Sequence, residues 1–480
     1  MPIRIFDTLS QGLKPIKGKK IKMFVCGPTV YDLIHIGNAR TYLVFDMFAR
    51  YLRSAGVDVF YLQNITDVDN KIIARATQEN SDSKTIAAKY QKIYLKDIKT
   101  LGISSVDRYA QATKYIPEIV KQIKKLVRKG HVYKIDGDGY YFDVTTFPEY
   151  GKLARRTLAQ AEDGVSRIDE SVLKRHKADF CVWKFSRSAD SRGLNADKRR
   201  QKFKIIGGEP SWNTELGWGR PGWHIEDTAI TEHFFGPQYD IHGGGVDLKF
   251  PHHEAEIAQQ ESASGKKPFV KIWMHAGALT VNGKKMSKSL GNFVVFQDFL
   301  KKYTADVLRM MVLTHHYRSP MDYTEKSAEE AEAALDSIKI FLAKTGMAMK
   351  RAGKMKKSSR SFYSSRSFKE KLSNDFNTPE ALAVVFDAIN RANKTMQVLD
   401  KKSLKEAADF VKKSIGLFGI SLKLPEIPLK IRKMAAEREE LRSNKQFPQS
   451  DALRKEIEGL GYITEDTPWG QLIWPSRQPK

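Results

Sequence analysis

Residues 21–66 read IKMFVCGPTVYDLIHIGNARTYLVFDMFARYLRSAGVDVFYLQNIT, and three hydrophobic patterns follow one another within them. Ile21 to Gly27 is short and apolar and runs into a Pro-Thr turn, as a buried strand does. The stretch from Asn38 repeats apolar residues at helical spacing until Gly56, and Val57 to Thr66 is strand-like again. Strand, helix, strand in this order predicts a parallel βαβ unit, whose ligands collect beyond the carboxyl ends of the strands. Cys26 to Asn38 occupies that place.

Further along, Ile116, Ile119, Val120, Ile123, Leu126 and Val127 mark a helix that stops at Gly130, and HVYKI, DGDG and YYFDV then spell a hairpin. This is an α+β insertion and not another βαβ unit. Within it Lys184 to Lys204 holds eight Lys/Arg against two Asp and reads as an exposed, disordered loop. Between Trp223 and Phe296 apolar segments and Gly-rich turns alternate once more, so the insertion splits one nucleotide-binding fold. After Asp322 the chain turns helical. Lys344 to Lys371, with ten Lys/Arg and one Glu, reads as a mobile connector. A last unit, from about Pro425 to Trp474, has helices and a short apolar tail.

The 480 residues correspond to roughly three domains. Lys and Arg number 81 against 56 Asp and Glu, a formal charge of +25 that suits a polyanionic partner. Two cysteines, Cys26 and Cys181, exclude a disulfide framework, and no apolar run approaches the roughly 18 residues that span a bilayer. The opening MPIRIFDTLS lacks the apolar core of a signal peptide. A soluble protein of a reducing compartment is expected.

Four motifs carry chemistry. His35-Ile36-Gly37-Asn38 opens the first helix, where free N–H groups and the helix dipole favour a phosphate and Gly37 admits a nucleotide close to the backbone; the same residues could be only a polar helix start. Lys285-Met286-Ser287-Lys288-Ser289 places two lysines on a loop that can close over a triphosphate, or that is a solvated turn. In Pro251-His252-His253-Glu254-Ala255-Glu256, His252 and Glu256 share a helix face as metal ligands often do, and so do His253 and Glu256; spacing does not choose between them, nor exclude carboxylates that merely stabilise a helix start. Gly243-Gly244-Gly245 with Asp247 offers close backbone approach and a carboxylate for ribose hydroxyls, or a simple turn.

Taken in order, these residues resemble the cysteinyl-tRNA synthetases, a class I aminoacyl-tRNA synthetase family, over nearly the whole chain. The resemblance is carried by FVCGPTVYDLIHIGNAR (24–40), GRPGWHIEDTAI (219–230), YDIHGGGVDLKFPHHEAEIAQ (239–259), KMSKSLGN (285–292) and EDTPWGQLIW (465–474). It implies that Cys26, His252 and Glu256 are three of four ligands of one zinc ion that binds the substrate thiolate, which excludes serine by donor chemistry. Most members have Cys at the fourth position where this chain has Asp227. Zinc accepts a carboxylate oxygen, so the implied set is Cys26, Asp227, His252 and Glu256. Asn38 likewise stands where the class I consensus has His, and its amide can still donate to a phosphate. The resemblance further implies that His35, Asn38, Lys285 and Lys288 are catalytic. It assigns ATP, with Mg²⁺, to His35, Gly37, Asn38, Gly245, Asp247 and Lys288, and cysteine to Cys26, Trp223 and His242.

The implied fold is α/β, a Rossmann-type catalytic domain split by an α+β insertion and followed by an α-helical tRNA-binding region. Its expected parts are the first catalytic half (1–115), the insertion (116–213), the second half with the KMSKS loop (214–300), a stem-contact region (301–340), a helical bundle with the basic connector (341–424) and an anticodon-binding region (425–480). The implied reaction is activation of L-cysteine by ATP and its transfer to the 3′ end of tRNA(Cys), by a cytoplasmic monomer with no membrane contact. Two rivals remain: a ligase joining cysteine to a small amine such as an amino sugar, and a non-catalytic RNA-binding paralogue. The tail argues against the first and the intact KMSKS against the second.

Overall fold

In a computed structural model the segment Lys20–Val25 is a strand, β1, and is followed by helix α1 (Ile36–Ser54) and strand β2 (Asp58–Ile65). The structure describes residues 1–161, 171–186, 202–206, 208–287, 290–351 and 365–476. The chain divides into two compact units, the first comprising Met1–Leu300, His315–Tyr323 and Ser373–Phe376 and the second Lys301–Thr314, Thr324–Leu372 and Asn377–Lys480.

The first unit is built on a five-stranded parallel sheet. After β1 and β2 come strand β3 (Arg108–Gln111), helix α2 (Trp223–Phe235), strand β4 (Tyr239–Gly245), helix α3 (His252–Ser264) and strand β5 (Val270–Ala276), and the strand order is β5-β4-β1-β2-β3. β4 lies beside β1 with Ile241 opposite Met23 and Gly243 opposite Val25, so the two halves of the chain close into one sheet. Met23, Phe24 and Val25 are fully buried, as expected for a strand covered on both faces. α1 crosses the sheet close to β4: a Cβ on Gly243 would stand 2.3 Å from the Phe45 ring.

The insertion is the expected α+β element. Helix Ile116–Arg128 precedes an antiparallel six-stranded sheet whose order is Val132–Ile135, Gly139–Phe142, Phe180–Phe185, Gly217–Pro221, Glu209–Thr214, Phe203–Ile206. Strand Gly217–Pro221 extends this sheet past residue 213 and leads directly into α2. Ile119, Ile123 and Leu126 share one apolar cluster with Ile225, Ala229 and Ile230 of α2, which fixes α2 between insertion and catalytic sheet. Of the basic loop 184–204, residues 187–201 lie outside the described residues.

The second unit is helical: Ala305–Leu313, Glu325–Arg351, Ser365–Ser373, Thr378–Thr395, Lys401–Leu417, Leu429–Ser443 and Phe447–Gly459, closed by a hairpin of Tyr462–Thr467 and Gly470–Pro475. The expected mobile connector differs from this at both ends. Residues 344–351 finish a helix, because Thr345 and Ala348 are buried and Lys344 pairs with Glu465 at 2.6 Å; residues 365–371 begin the next. Residues 352–364 lie outside the described residues. No helix among the described residues is long and apolar enough to cross a membrane.

Candidate active site

At the carboxyl end of the parallel sheet opens a cleft of about 430 Å³, lined among others by Cys26, His35, Gly37, Asn38, Trp223, Asp227, Gly245, Asp247, His252 and Lys285. Its floor begins at the start of α1. The His35 ring caps that helix: Nδ1 accepts from the N–H groups of Gly37 at 3.1 Å and Asn38 at 3.2 Å. Asn38 Oδ1 accepts in return from the His35 N–H at 3.3 Å, a reciprocal capping box. With Nδ1 accepting, the proton of the neutral imidazole sits on Nε2. A Cβ on Gly37 would stand 2.9 Å from the His35 ring and 3.2 Å from Met286, so the glycine preserves this cap.

The other wall carries a buried acidic cluster. Cys26 follows β1, Asp227 comes from α2, and His252 and Glu256 are one turn apart on α3. Their donor atoms all lie within 4.8 Å of one another. His252 Nε2 is 3.0 Å from both Asp227 Oδ2 and Glu256 Oε1, and Cys26 Sγ is 3.6 Å from Asp227 Oδ2. Burial would pull His252 down, yet Glu256 and Asp227 push it up to about 9. The imidazolium therefore stands in the place of a cation. Burial, then the neighbouring carboxylates, push the Cys26 thiol well up, and burial raises Glu256 against the pull of His252. Asp227 Oδ1 is buried and finds no hydrogen-bond partner among the described residues. One thiol, one imidazole and two carboxylates, with a carboxylate oxygen unpaired, fit a divalent ion better than they fit each other. Uptake of that ion would displace the His252 proton, since a ligating imidazole is neutral.

Trp223 stacks on the His252 ring at 4.4 Å and faces the cleft. His242, expected among the cysteine-binding residues, is fully buried beneath Cys26 with Nε2 3.3 Å from Sγ. Its Nδ1 is 2.6 Å from the Tyr239 hydroxyl and its ring stacks on Trp273. Gly245 and Asp247 lie on the cleft wall, and Lys285 ends a short strand, Lys284–Lys285, that pairs with Leu279–Val281. Lys288 lies outside the described residues.

His253, the alternative that spacing left open, also reaches Cys26, with Nε2 3.2 Å from Sγ, and hands on through Nδ1 to His275 and from there to Thr8, each contact 2.8 Å. The His-His pair was a signal for this. Several other residues escaped sequence reasoning, and nothing local pointed to His275 or Thr8. Arg40, buried in α1, donates from Nη1 to the carbonyls of Gly277 at 2.8 Å and Ala278 at 2.6 Å and from Nη2 to Ser319. It thereby anchors the base of the segment that carries Lys285. Glu226, beside Asp227, accepts from Thr66, and burial pushes its carboxyl well up.

Residues 12–333 match the family model for the class I (C) tRNA synthetase catalytic domain, and residues 367–423 match the DALR domain. The chain is 38% identical to a cysteine–tRNA ligase of Thermococcus gammatolerans, covering 99% of each chain. It is also 38% identical to a cysteine–tRNA ligase of Coxiella burnetii, covering 98% of this chain and 100% of that one. Among solved structures, a Mycobacterium tuberculosis methionyl-tRNA synthetase in complex with methionyl-adenylate superposes with a TM-score of 0.57 at 13% identity, over 84% of this chain and 90% of the other, a likeness of fold alone.

Proposed function

The chain belongs to the cysteine–tRNA ligase family of class I synthetases, and from that premise we propose that it activates L-cysteine with ATP and transfers it to the 3′ end of tRNA(Cys), with its residues in the following roles. The observation that carries this reading is that a helix start suited to phosphate and a buried thiol-imidazole-carboxylate cluster open onto one cleft.

ATP, accompanied by Mg²⁺, lies along the start of α1. His35 Nε2–H and the Asn38 NH₂ donate to phosphate oxygens, and the helix dipole adds to them. Gly245 allows the nucleotide to approach β4, and Asp247 accepts from the ribose hydroxyls. Lys285 and Lys288 bring positive charge onto the triphosphate as the α-phosphorus is attacked, a contribution that grows in the transition state. The attacking group is the cysteine carboxylate and pyrophosphate leaves, so no side chain forms a covalent bond. The ribose hydroxyl of the terminal tRNA nucleotide then attacks the acyl carbon and AMP leaves. Positioning and charge stabilisation account for both steps.

Cys26, Asp227, His252 and Glu256 would hold one zinc ion. When bound, it supplies a thiophilic Lewis acid for the substrate sulfur. Trp223 covers His252 and closes the amino-acid side of the cleft, and His242 supports Cys26 from below. The working unit is a monomer and the place of action the cytoplasm.

The test is attachment of labelled cysteine or serine to unfractionated tRNA with ATP and Mg²⁺, with and without a zinc chelator. Cysteine attachment lost on chelation, and no serine attachment, is the expected result. Failure of charging in folded protein that still forms adenylate would point to a small-amine acceptor. Lys288→Ala is expected to lower adenylate formation far more than ATP affinity; equal losses in both would remove its transition-state role.

A further inference from the structure

Resting on the reading of Cys26, Asp227, His252 and Glu256 as the cation site, we propose that Asp227 sets the metal preference of this protein, making the pocket more tolerant of hard divalent ions such as Mn²⁺ than a site with a second thiolate would be. The donor set is one sulfur, one nitrogen and two carboxylate oxygens. Thiolates select soft and borderline ions, whereas carboxylates suit Mg²⁺ and Mn²⁺, so each sulfur exchanged for oxygen narrows the advantage of Zn²⁺. The sulfur content cannot exceed one. Cys181, the only other cysteine in the chain, is buried in a separate cluster with Ile135 and Tyr141.

Two overlapping sets of four ligands share Cys26 and Glu256, one completed by Asp227 and His252 and the other by His242 and His253. The first is favoured by position. Cys26, Asp227 and His252 line the cleft, where a substrate sulfur arrives, while His242 and His253 are not among its lining residues. Asp227 also keeps its Oδ1 unpaired in a site that is only 1% exposed. Its Oδ2 is the oxygen that faces Cys26 and His252, and both carboxylates of the set keep one oxygen without a hydrogen-bond partner among the described residues, Asp227 Oδ1 and Glu256 Oε2.

The full-length protein, stripped of metal, is equilibrated with Zn²⁺ and Mn²⁺ in competition, and bound ions are counted by elemental analysis for the parent, Asp227→Cys, Asp227→Asn and Cys26→Ser. Asp227→Cys should raise the Zn²⁺ to Mn²⁺ preference by about tenfold or more, and the isosteric Asp227→Asn should weaken Zn²⁺ by about tenfold. With Co²⁺ bound, the thiolate charge-transfer absorption of the parent should correspond to one sulfur and roughly double in Asp227→Cys. An unchanged preference in Asp227→Cys, or an unchanged affinity and Co²⁺ spectrum in Asp227→Asn, would overturn the proposal and assign the ion to the His242 and His253 set. Should Asp227→Cys not fold, Asp227→Asn decides alone. Ion binding by Cys26→Ser at the parent's affinity is a different failure, because it removes the underlying reading of the cation site.

Discussion

The Asn38 amide offers two ends. Oδ1 accepts the His35 backbone N–H within the cap, so the NH₂ group is the end left to face the cleft. A carboxamide can do this because it carries an acceptor and two donors. Asn38→Asp keeps the acceptor but loses the donors and sets a negative charge against the triphosphate. We expect the KM for ATP in cysteine-dependent pyrophosphate exchange to rise by about tenfold or more, while thermal stability stays near the parent's, since an acid at a helix start is favourable. An unchanged KM would take Asn38 out of the ATP site. Arg40 acts at the same scale through three carbonyls. Lysine retains the charge but not the fork, so Arg40→Lys should cost about 2 kcal/mol in denaturant unfolding. A loss confined to activity, with stability intact, would show that Arg40 does not secure the segment after β5.

Helices Asn70–Gln78 and Ser83–Thr100 are joined by one carboxylate. Glu79 accepts from Lys89 at 2.6 Å, Arg75 at 2.7 Å and the Tyr90 hydroxyl at 2.9 Å, and these partners hold its carboxyl down to about 2. A carboxyl lowered on folding stabilises the fold above its unfolded value, near 4.5, and loses that contribution as the pH falls towards 2. Thermal melts should therefore show Glu79→Gln below the parent at pH 7, with the gap closing as pH falls through this range. A gap independent of pH would mean that shape, not charge, joins the two helices. Helix Leu429–Ser443 and the terminal hairpin depend on a comparable pair: Arg438, 1% exposed, meets Asp466 at 2.8 Å through Nη1 and 3.0 Å through Nη2. Arg438→Ala should loosen this element and raise the KM for tRNA in charging. Cysteine-dependent pyrophosphate exchange should stay within about twofold, the chemistry lying in the first unit.

For the molecule as a whole, a formal charge of +25 and a tRNA substrate make electrostatics the main term in tRNA affinity. With about six or more phosphates neutralised, binding should weaken by roughly 10³-fold between about 50 and 200 mM salt. Filter binding or fluorescence anisotropy across that range measures the slope. A nearly flat dependence would contradict an extended basic contact. The KM for cysteine should change far less, because the side-chain pocket is buried and screened little by salt.

The hydrophobic spacing from Ile21 to Thr66, the helix ended near Gly130 and the hairpin after it are short-range patterns, and each appears as read, because periodicity within an element depends on neighbours a few residues away. The motifs that open onto the cleft were equally visible, and composition alone pointed to a polyanion. The assembly of the site was not. Asp227 and Glu256 come to Cys26 from 201 and 230 residues along the chain, and they do so because β4 pairs with β1 across the whole insertion. Helical spacing allowed either His252 or His253 to pair with Glu256. In the fold both approach Cys26, His253 from below and His252 from the cleft, and access is what separates them. Gly243 read as room for a ligand, and the fold uses it as room for Phe45. The basic segment after Lys344 read as a connector by composition, while burial of Thr345 and Ala348 keeps it helical to Arg351. Such outcomes depend on which surfaces meet, and that is settled only when distant elements pack.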